Sequence, residues 1–364
     1  MTSLQSTVQQ ALDDLVEAGT ERGLQVAVYR GGELVVDAVA GIADPATGRP
    51  FDSGTLVYAT STGKGAASAL IHLLVDRGEL SFDTPVAELW PEFAAHGKDK
   101  ATVRHVLTHS AGVPGLPVDT TAAGLCDWDA MCAAVAAEKP WFEPGTKIAY
   151  HAQSFGYLAG QIVSGVTGTT ISEALRAHVT EPLGLAGELY FGVPSAELGR
   201  VAVLEDAPAE FEMPPEMLAE IPFFQVVDGY TAAPMAAMPD AAFGNRADVL
   251  TADIPAGGTM TARGVAKLYA ALMDGLVSAE RLREMSTPAL VAPDVLAGGA
   301  DGTWGLGYGV GLFGSPTAFG FGGVNGTAGF GDPATGTAVG IMKNTFSPGD
   351  FATVERLAGL ILRS

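Results

Sequence analysis

Residues 56–75 read Leu56-Val57-Tyr58-Ala59-Thr60-Ser61-Thr62-Gly63-Lys64-Gly65-Ala66-Ala67-Ser68-Ala69-Leu70-Ile71-His72-Leu73-Leu74-Val75. A short β-rich segment, Leu56–Ala59, gives way at Ser61 to an apolar run from Ala66 to Val75 with helical spacing. Ser61 and Lys64 are nearly one helical turn apart and therefore face the same way. At a helix N-terminus the Ser61 backbone N–H has no partner within the helix and is free to bond a developing oxyanion. A serine hydroxyl is a poor nucleophile without a base. Lys64 is the base this spacing offers, provided burial depresses its pKa. This is the only Ser-x-x-Lys in the chain, and Gly63 and Gly65 are expected to leave room for a ligand.

Outward from this junction, residues 4–22 place Leu4, Val8, Leu12, Leu15 and Val16 at helical spacing, and two β-rich runs follow around Arg30-Gly31-Gly32-Glu33. The far end mirrors this arrangement, with an apolar run near 317–324, a second hairpin turning at Asp332-Pro333, and a helix over about 350–362. Between them, stretches at 66–78, 102–112, 128–139, 154–168 and 170–179 carry helical periodicity. The expected fold is an α/β sandwich, an antiparallel sheet with helices on both faces built from residues 1–65 and 256–364. A mainly helical domain at 66–255 is inserted into it.

The chain has 364 residues, 48% of them hydrophobic and 17% charged, which is the composition of a globular protein. A net charge of −21 repels phosphate backbones and anionic lipid, so neither nucleic acid nor a membrane is an expected partner. Cys126 and Cys132 lie in an apolar stretch without neighbouring His and read as buried free thiols rather than a disulfide or zinc site. His105 and His109, four apart, lack the intervening Glu of a metalloprotease helix, and no metal or cofactor is expected. No basic region followed by an apolar run opens the sequence, and no stretch reaches the roughly 18 apolar residues of a membrane span. The expectation is a cytoplasmic enzyme of small molecules, its oligomeric state left open.

From 203 to 255 the periodicity fades into a segment rich in Pro, Met and aromatic residues, including Phe211, Met213, Met217, Phe223, Phe224, Tyr230, Met235 and Met238. A loop of this length is usually functional or disordered, and Met and aromatic side chains adapt to irregular apolar ligands. It is expected to be a lid, with Phe223 and Phe224 touching substrate.

Taken together, Ser61-x-x-Lys64, the segments at 78–93 and 103–115, and the closing hairpin make the chain resemble the serine β-lactamase and penicillin-binding superfamily, and more narrowly its class C β-lactamase-like esterases, the family VIII carboxylesterases. The resemblance spans nearly the whole chain. It implies an acyl-enzyme on Ser61, with Tyr150 sharing or relaying the proton with Lys64. A phenol near a Lys cation is expected to ionise below its usual pKa. The family's Tyr-x-Asn is Tyr150-His151-Ala152 here, and Ala152 cannot hold an acylamide side chain as the Asn does in β-lactamases. His151 is placed with the substrate-binding candidates. Where the family carries Lys-Thr-Gly or His-x-Gly, this chain has Phe321-Gly322-Gly323, which offers no cationic partner for a carboxylate. Gly322 and Gly323 are expected to let the backbone approach a ligand, with the Val324 N–H joining that of Ser61 in an oxyanion hole.

The resulting expectation is a carboxylesterase acting on neutral, fairly apolar esters. An acyltransferase or amide-forming enzyme using the same acyl-enzyme is the alternative. A β-lactamase or D-alanyl peptidase and a non-catalytic binding protein rank below these.

Overall fold

A computed structural model of the protein describes residues 3–208 and 215–364. The chain opens with helix α1 (Leu4–Glu17), capped by the Ser3 hydroxyl, which accepts the Ser6 N–H. Its buried stripe is Val8, Ala11, Leu12 and Leu15. The helix stops short of residue 22 because Gly19 turns left-handed, with φ at 71°. Strands β1 (Gly23–Arg30) and β2 (Glu33–Asp44) then form the expected hairpin. Gly31 and Gly32 both take positive φ in its two-residue turn. A short edge strand, β3 (Arg49–Pro50), closes this side of the sheet.

The other strands come from the far end of the chain: β4 (Gly309–Val310), β5 (Phe319–Gly323), β6 (Thr327–Asp332) and β7 (Thr337–Lys343). The seven-stranded sheet runs β4-β5-β6-β7-β1-β2-β3 and is antiparallel throughout. The central pairing of β1 with β7, in register at Val26 and Ile341, joins the two ends of the sequence.

Helices cover both faces, as the sequence predicts. On one, α1 and α5 (Ala352–Leu362) bury a cluster that includes Leu12, Val26, Phe330, Ile341 and Leu357. Against the other lies α4 (Ala262–Ala271), brought close by Gly340, where a Cβ would strike the Ala262 carbonyl. The same buried cluster continues into α2 (Lys64–Asp76) and α3 (Ser154–Thr167). From Lys64 to Leu74 every residue of α2 is buried, so it is a central core helix. It starts at the floor of the site described below.

Two helical expectations are realised only in part. In 102–112 the helix covers Val103–Leu107 and then breaks, with His109 at φ 53°. In 170–179, Ile171–Leu175 is followed by a wider turn at Arg176–Thr180. Cys126 is only partly buried, whereas Cys132 is buried and both thiols are free.

The 203–255 segment is built from short anchored elements. Glu205–Asp206 pairs with Thr345–Phe346, and Tyr230–Thr231 pairs with Leu116–Pro117. Short helices cover Pro215–Glu220, Ala241–Gly244 and Ala247–Thr251. Phe211 and Met213 lie outside the described residues. Among the described residues, no helix is long and apolar enough to cross a membrane.

Candidate active site

Ser61 lies in a turn of 3-10 helix, Thr60–Gly63, that runs directly into α2. Thr60 is held at φ 42°, a conformation that costs a side-chain-bearing residue on the order of 1–3 kcal/mol. A buried polar network holds it there. The Thr60 hydroxyl donates to Asn325 Oδ1 at 2.9 Å, Asn325 Nδ2 donates to the Tyr58 carbonyl at 2.9 Å, and the Thr62 and Thr327 hydroxyls bond at 3.0 Å. Asn325 and Thr327 follow β5 and open β6, so the turn is tied to the end of the sheet. Sequence reasoning missed both residues, because nothing local in the chain links 325 to 60.

Lys64 is fully buried. Its Nζ lies 3.0 Å from Ser61 Oγ and donates to the Ala152 and Ala256 carbonyls, each at 2.7 Å. Burial lowers its pKa to about 7, as the sequence reading requires of a base. The Ala256 carbonyl comes this close because Gly63 and Gly257 touch backbone to backbone. The expectation that Gly63 and Gly65 leave room for a ligand is therefore wrong: a Cβ at Gly63 would strike the Gly257 carbonyl, and one at Gly65 the Tyr269 hydroxyl. These glycines admit protein rather than substrate.

Tyr150 faces the same point, with its ring centroid 5.3 Å from Lys64 Nζ. The expected lowering of its pKa does not occur. Burial pushes the phenol up to about 12, and the hydrogen bond with Ser61 offsets only part of this. A buried phenolate is costly, and a lysine that is itself half neutral near pH 7 gives it little support. The ring stacks on Trp304 at 5.7 Å, with 12° between planes, and packs against His109 at 4.7 Å.

His151 does not reach substrate. It is fully buried, its Nδ1 bonds the Ala149 carbonyl at 2.6 Å, and its backbone N–H donates to His109 Nδ1 at 3.2 Å. Burial pushes its pKa down to about 4. It belongs to the packing behind Tyr150 and lines neither of the site's cavities.

Two cavities meet at Ser61, Tyr150 and Val324. The wide one, about 500 Å³, is walled by Trp304, Phe313, Phe321 and Phe351, with Gly322 and Glu355 on its rim. The narrow one, about 140 Å³, is lined by Ala152, Phe223, Ala237 and Met238 among others. Among the described residues, the backbone N–H groups of Ser61 and Val324 have no intramolecular acceptor.

The remaining expected residues divide. Phe321, Gly322, Ala152 and Phe223 line the cavities, whereas Phe224 and Gly323 line neither. A Cβ at Gly323 would strike the Ala59 carbonyl, so this glycine lets β5 pack against the Ser61 turn rather than against a ligand. In the loop, Met238 reaches the narrow cavity, while Met217 and Met235 point into solvent and Tyr230 bonds the Ala134 carbonyl at 3.1 Å.

Compared with known proteins, the sequence profile of the Beta-lactamase family matches residues 8–363. The chain belongs to this family. Within the family it is 33% identical to the esterase/beta-lactamase LipL of Mycobacterium tuberculosis, over 88% of this chain and 77% of that protein. The crystal structure of a family VIII carboxylesterase superposes with a TM-score of 0.86 at 31% identity, covering 100% of this chain and 98% of the other. A penicillin-binding protein homologue from Caulobacter crescentus superposes with a TM-score of 0.83 at 34% identity, covering 99% and 96%. The sequence resemblance to the esterase branch of the β-lactamase family is therefore borne out, and so is the sandwich fold.

Trp304, Phe313, Phe351 and Glu355, with Gly309 and Gly311, are among the residues of the wide cavity that were not foreseen. The glycine-spaced run at 305–311 was the available signal. It reads as a strand in the sequence and gives no hint of what it lines.

Proposed function

We propose that this serine hydrolase cleaves neutral, fairly apolar carboxylic esters through an acyl-enzyme on Ser61. The observation that carries the reading is the 3.0 Å contact between Ser61 Oγ and the buried Lys64 Nζ, at the meeting point of two apolar cavities. The esterase/beta-lactamase of M. tuberculosis and the family VIII carboxylesterase, each above 30% identity, support it. Among the described residues, neither cavity is lined by a Lys, Arg or His side chain, so a substrate carboxylate would find no cation on their walls.

In the first step Ser61 Oγ bonds to the acyl carbon, and its proton passes to the neutral Lys64 amine. The carbonyl π electrons move to oxygen, where the Ser61 and Val324 N–H groups stabilise the tetrahedral oxyanion. Collapse breaks the bond to the alcohol, which leaves with a proton returned from Lys64 through the Tyr150 phenol. Tyr150, with a pKa of about 12, acts as a neutral relay rather than a phenolate. Water then repeats the sequence on the acyl-enzyme and releases the acid.

The test is hydrolysis of p-nitrophenyl butyrate by wild type and Ser61→Ala, with intact-mass detection of a fluorophosphonate adduct. The expected result is an adduct on Ser61 and loss of at least about a thousandfold in rate in the variant. Wild-type turnover by Ser61→Ala would refute it.

A further inference from the structure

The wide cavity has a composition that the ester-hydrolase reading does not use. Among the described residues, five aromatic side chains, Tyr150, Trp304, Phe313, Phe321 and Phe351, line a space that holds a single carboxylate, Glu355. Glu355 lies in the first turn of α5, is exposed, and among the described residues forms no ion pair. Trp304 stands 5.7 Å from Tyr150 and 5.9 Å from Phe321, centroid to centroid, so three rings crowd one wall. Aromatic faces attract a cation through their quadrupole, and do so most strongly where it loses water. A carboxylate at the rim adds the charge complement, and a chain of net charge −21 raises the local concentration of cations. Its place near a helix N-terminus also suits the helix dipole. That role alone would leave substrate choice untouched, so the aromatic wall is what turns the position into a recognition site.

We infer that the wide cavity is a subsite for an ammonium group, and that the enzyme prefers esters carrying a quaternary or tertiary ammonium at the end that fills it. The inference rests on the ester-hydrolase reading at Ser61 and revises its substrate class, from neutral esters to esters with a cationic group at one end. A neutral apolar group of the same shape still fits. The cation is favoured over it by the aromatic faces and by Glu355.

The experiment compares isosteric pairs in which only the charge differs. Choline butyrate against 3,3-dimethylbutyl butyrate places the charge on the alcohol. The p-nitrophenyl esters of 4-(trimethylammonio)butyrate and 5,5-dimethylhexanoate place it on the acyl group. In at least one pair the cationic ester is expected to have a kcat/KM about tenfold higher at low salt. Glu355→Gln should cut that ratio by roughly three- to fivefold, and raising the salt from about 0.01 to 0.5 M should also shrink it. Because each ratio is taken within one enzyme preparation, a partly misfolded variant does not imitate the effect. Equal kcat/KM within both pairs, or a ratio unmoved by Glu355→Gln, overturns the ammonium subsite while leaving ester hydrolysis standing. Failure to cleave p-nitrophenyl butyrate as well as all four esters removes the hydrolase reading itself, and the subsite proposal with it.

Discussion

If Lys64 is the base, activity must follow its ionisation. An ordinary lysine, with a pKa near 10.5, would be neutral in only about 3 molecules in 10,000 at pH 7. Burial brings Lys64 to about 7, so half the enzyme holds the free amine at neutrality. The ammonium form has no lone pair and cannot take the Ser61 proton, so activity is lost as pH falls through 7 and is retained above it. Between pH 6 and pH 8 the neutral fraction rises from about 0.09 to about 0.91, and kcat/KM should therefore rise about tenfold before levelling off. His151, with a pKa of about 4, and His109, held well below the usual imidazole range by burial, stay neutral across this window. Tyr150, at about 12, stays protonated. The assay is kcat/KM for p-nitrophenyl butyrate from pH 5.5 to 9.5, read at the isosbestic wavelength of the nitrophenol and corrected for spontaneous hydrolysis. A flat profile, or one that keeps climbing toward pH 10, would mean that Lys64 is not the proton acceptor.

Other perturbations reach the scaffold and the pocket. Asn325→Ala removes three hydrogen bonds, a part-buried one to Tyr58 and buried ones to Thr60 and Thr327, and frees the strained Thr60. It should destabilise by roughly 3–5 kcal/mol, visible as a Tm fall of about 4–7 °C, and lower kcat more than it raises KM; an unchanged Tm and kcat would contradict the role given to this network. Ala237→Leu adds three carbons to the narrow cavity of about 140 Å³. If that cavity receives the acyl chain of p-nitrophenyl esters, the butyrate-to-acetate ratio of kcat/KM should drop about tenfold; a constant ratio would place the acyl chain elsewhere.

Much of this protein is readable in one dimension because its signals are local. Ser61 and Lys64 share a helix turn, so their contact follows from spacing of three residues. The hairpin of β1 and β2 follows from Gly31-Gly32 between two β-rich runs, and the far end carries the same signals of a hairpin and a helix. Phe321 and Ala152 stand where a cation and an amide would serve an anionic or acylamide substrate, so even the apolar character of the site was visible as two missing residues.

What the sequence did not determine depends on groups brought together across the chain. Lys64 has a depressed pKa because the start of α2 is sealed on all sides, and its two carbonyl partners, Ala152 and Ala256, come from segments about 90 and 190 residues away. Tyr150 was expected to be acidic from its neighbour's charge, yet burial, a property of the packed whole, outweighs that charge and makes it a weaker acid. Gly63, Gly65 and Gly323 could have faced ligand or protein, and only the positions of Gly257, Tyr269 and Ala59 decide for protein. Glu355 and Trp304 carry no motif. They enter the site because α5 begins and the 301–304 strand ends at the same cavity, an outcome of long-range packing that local propensity and periodicity do not encode.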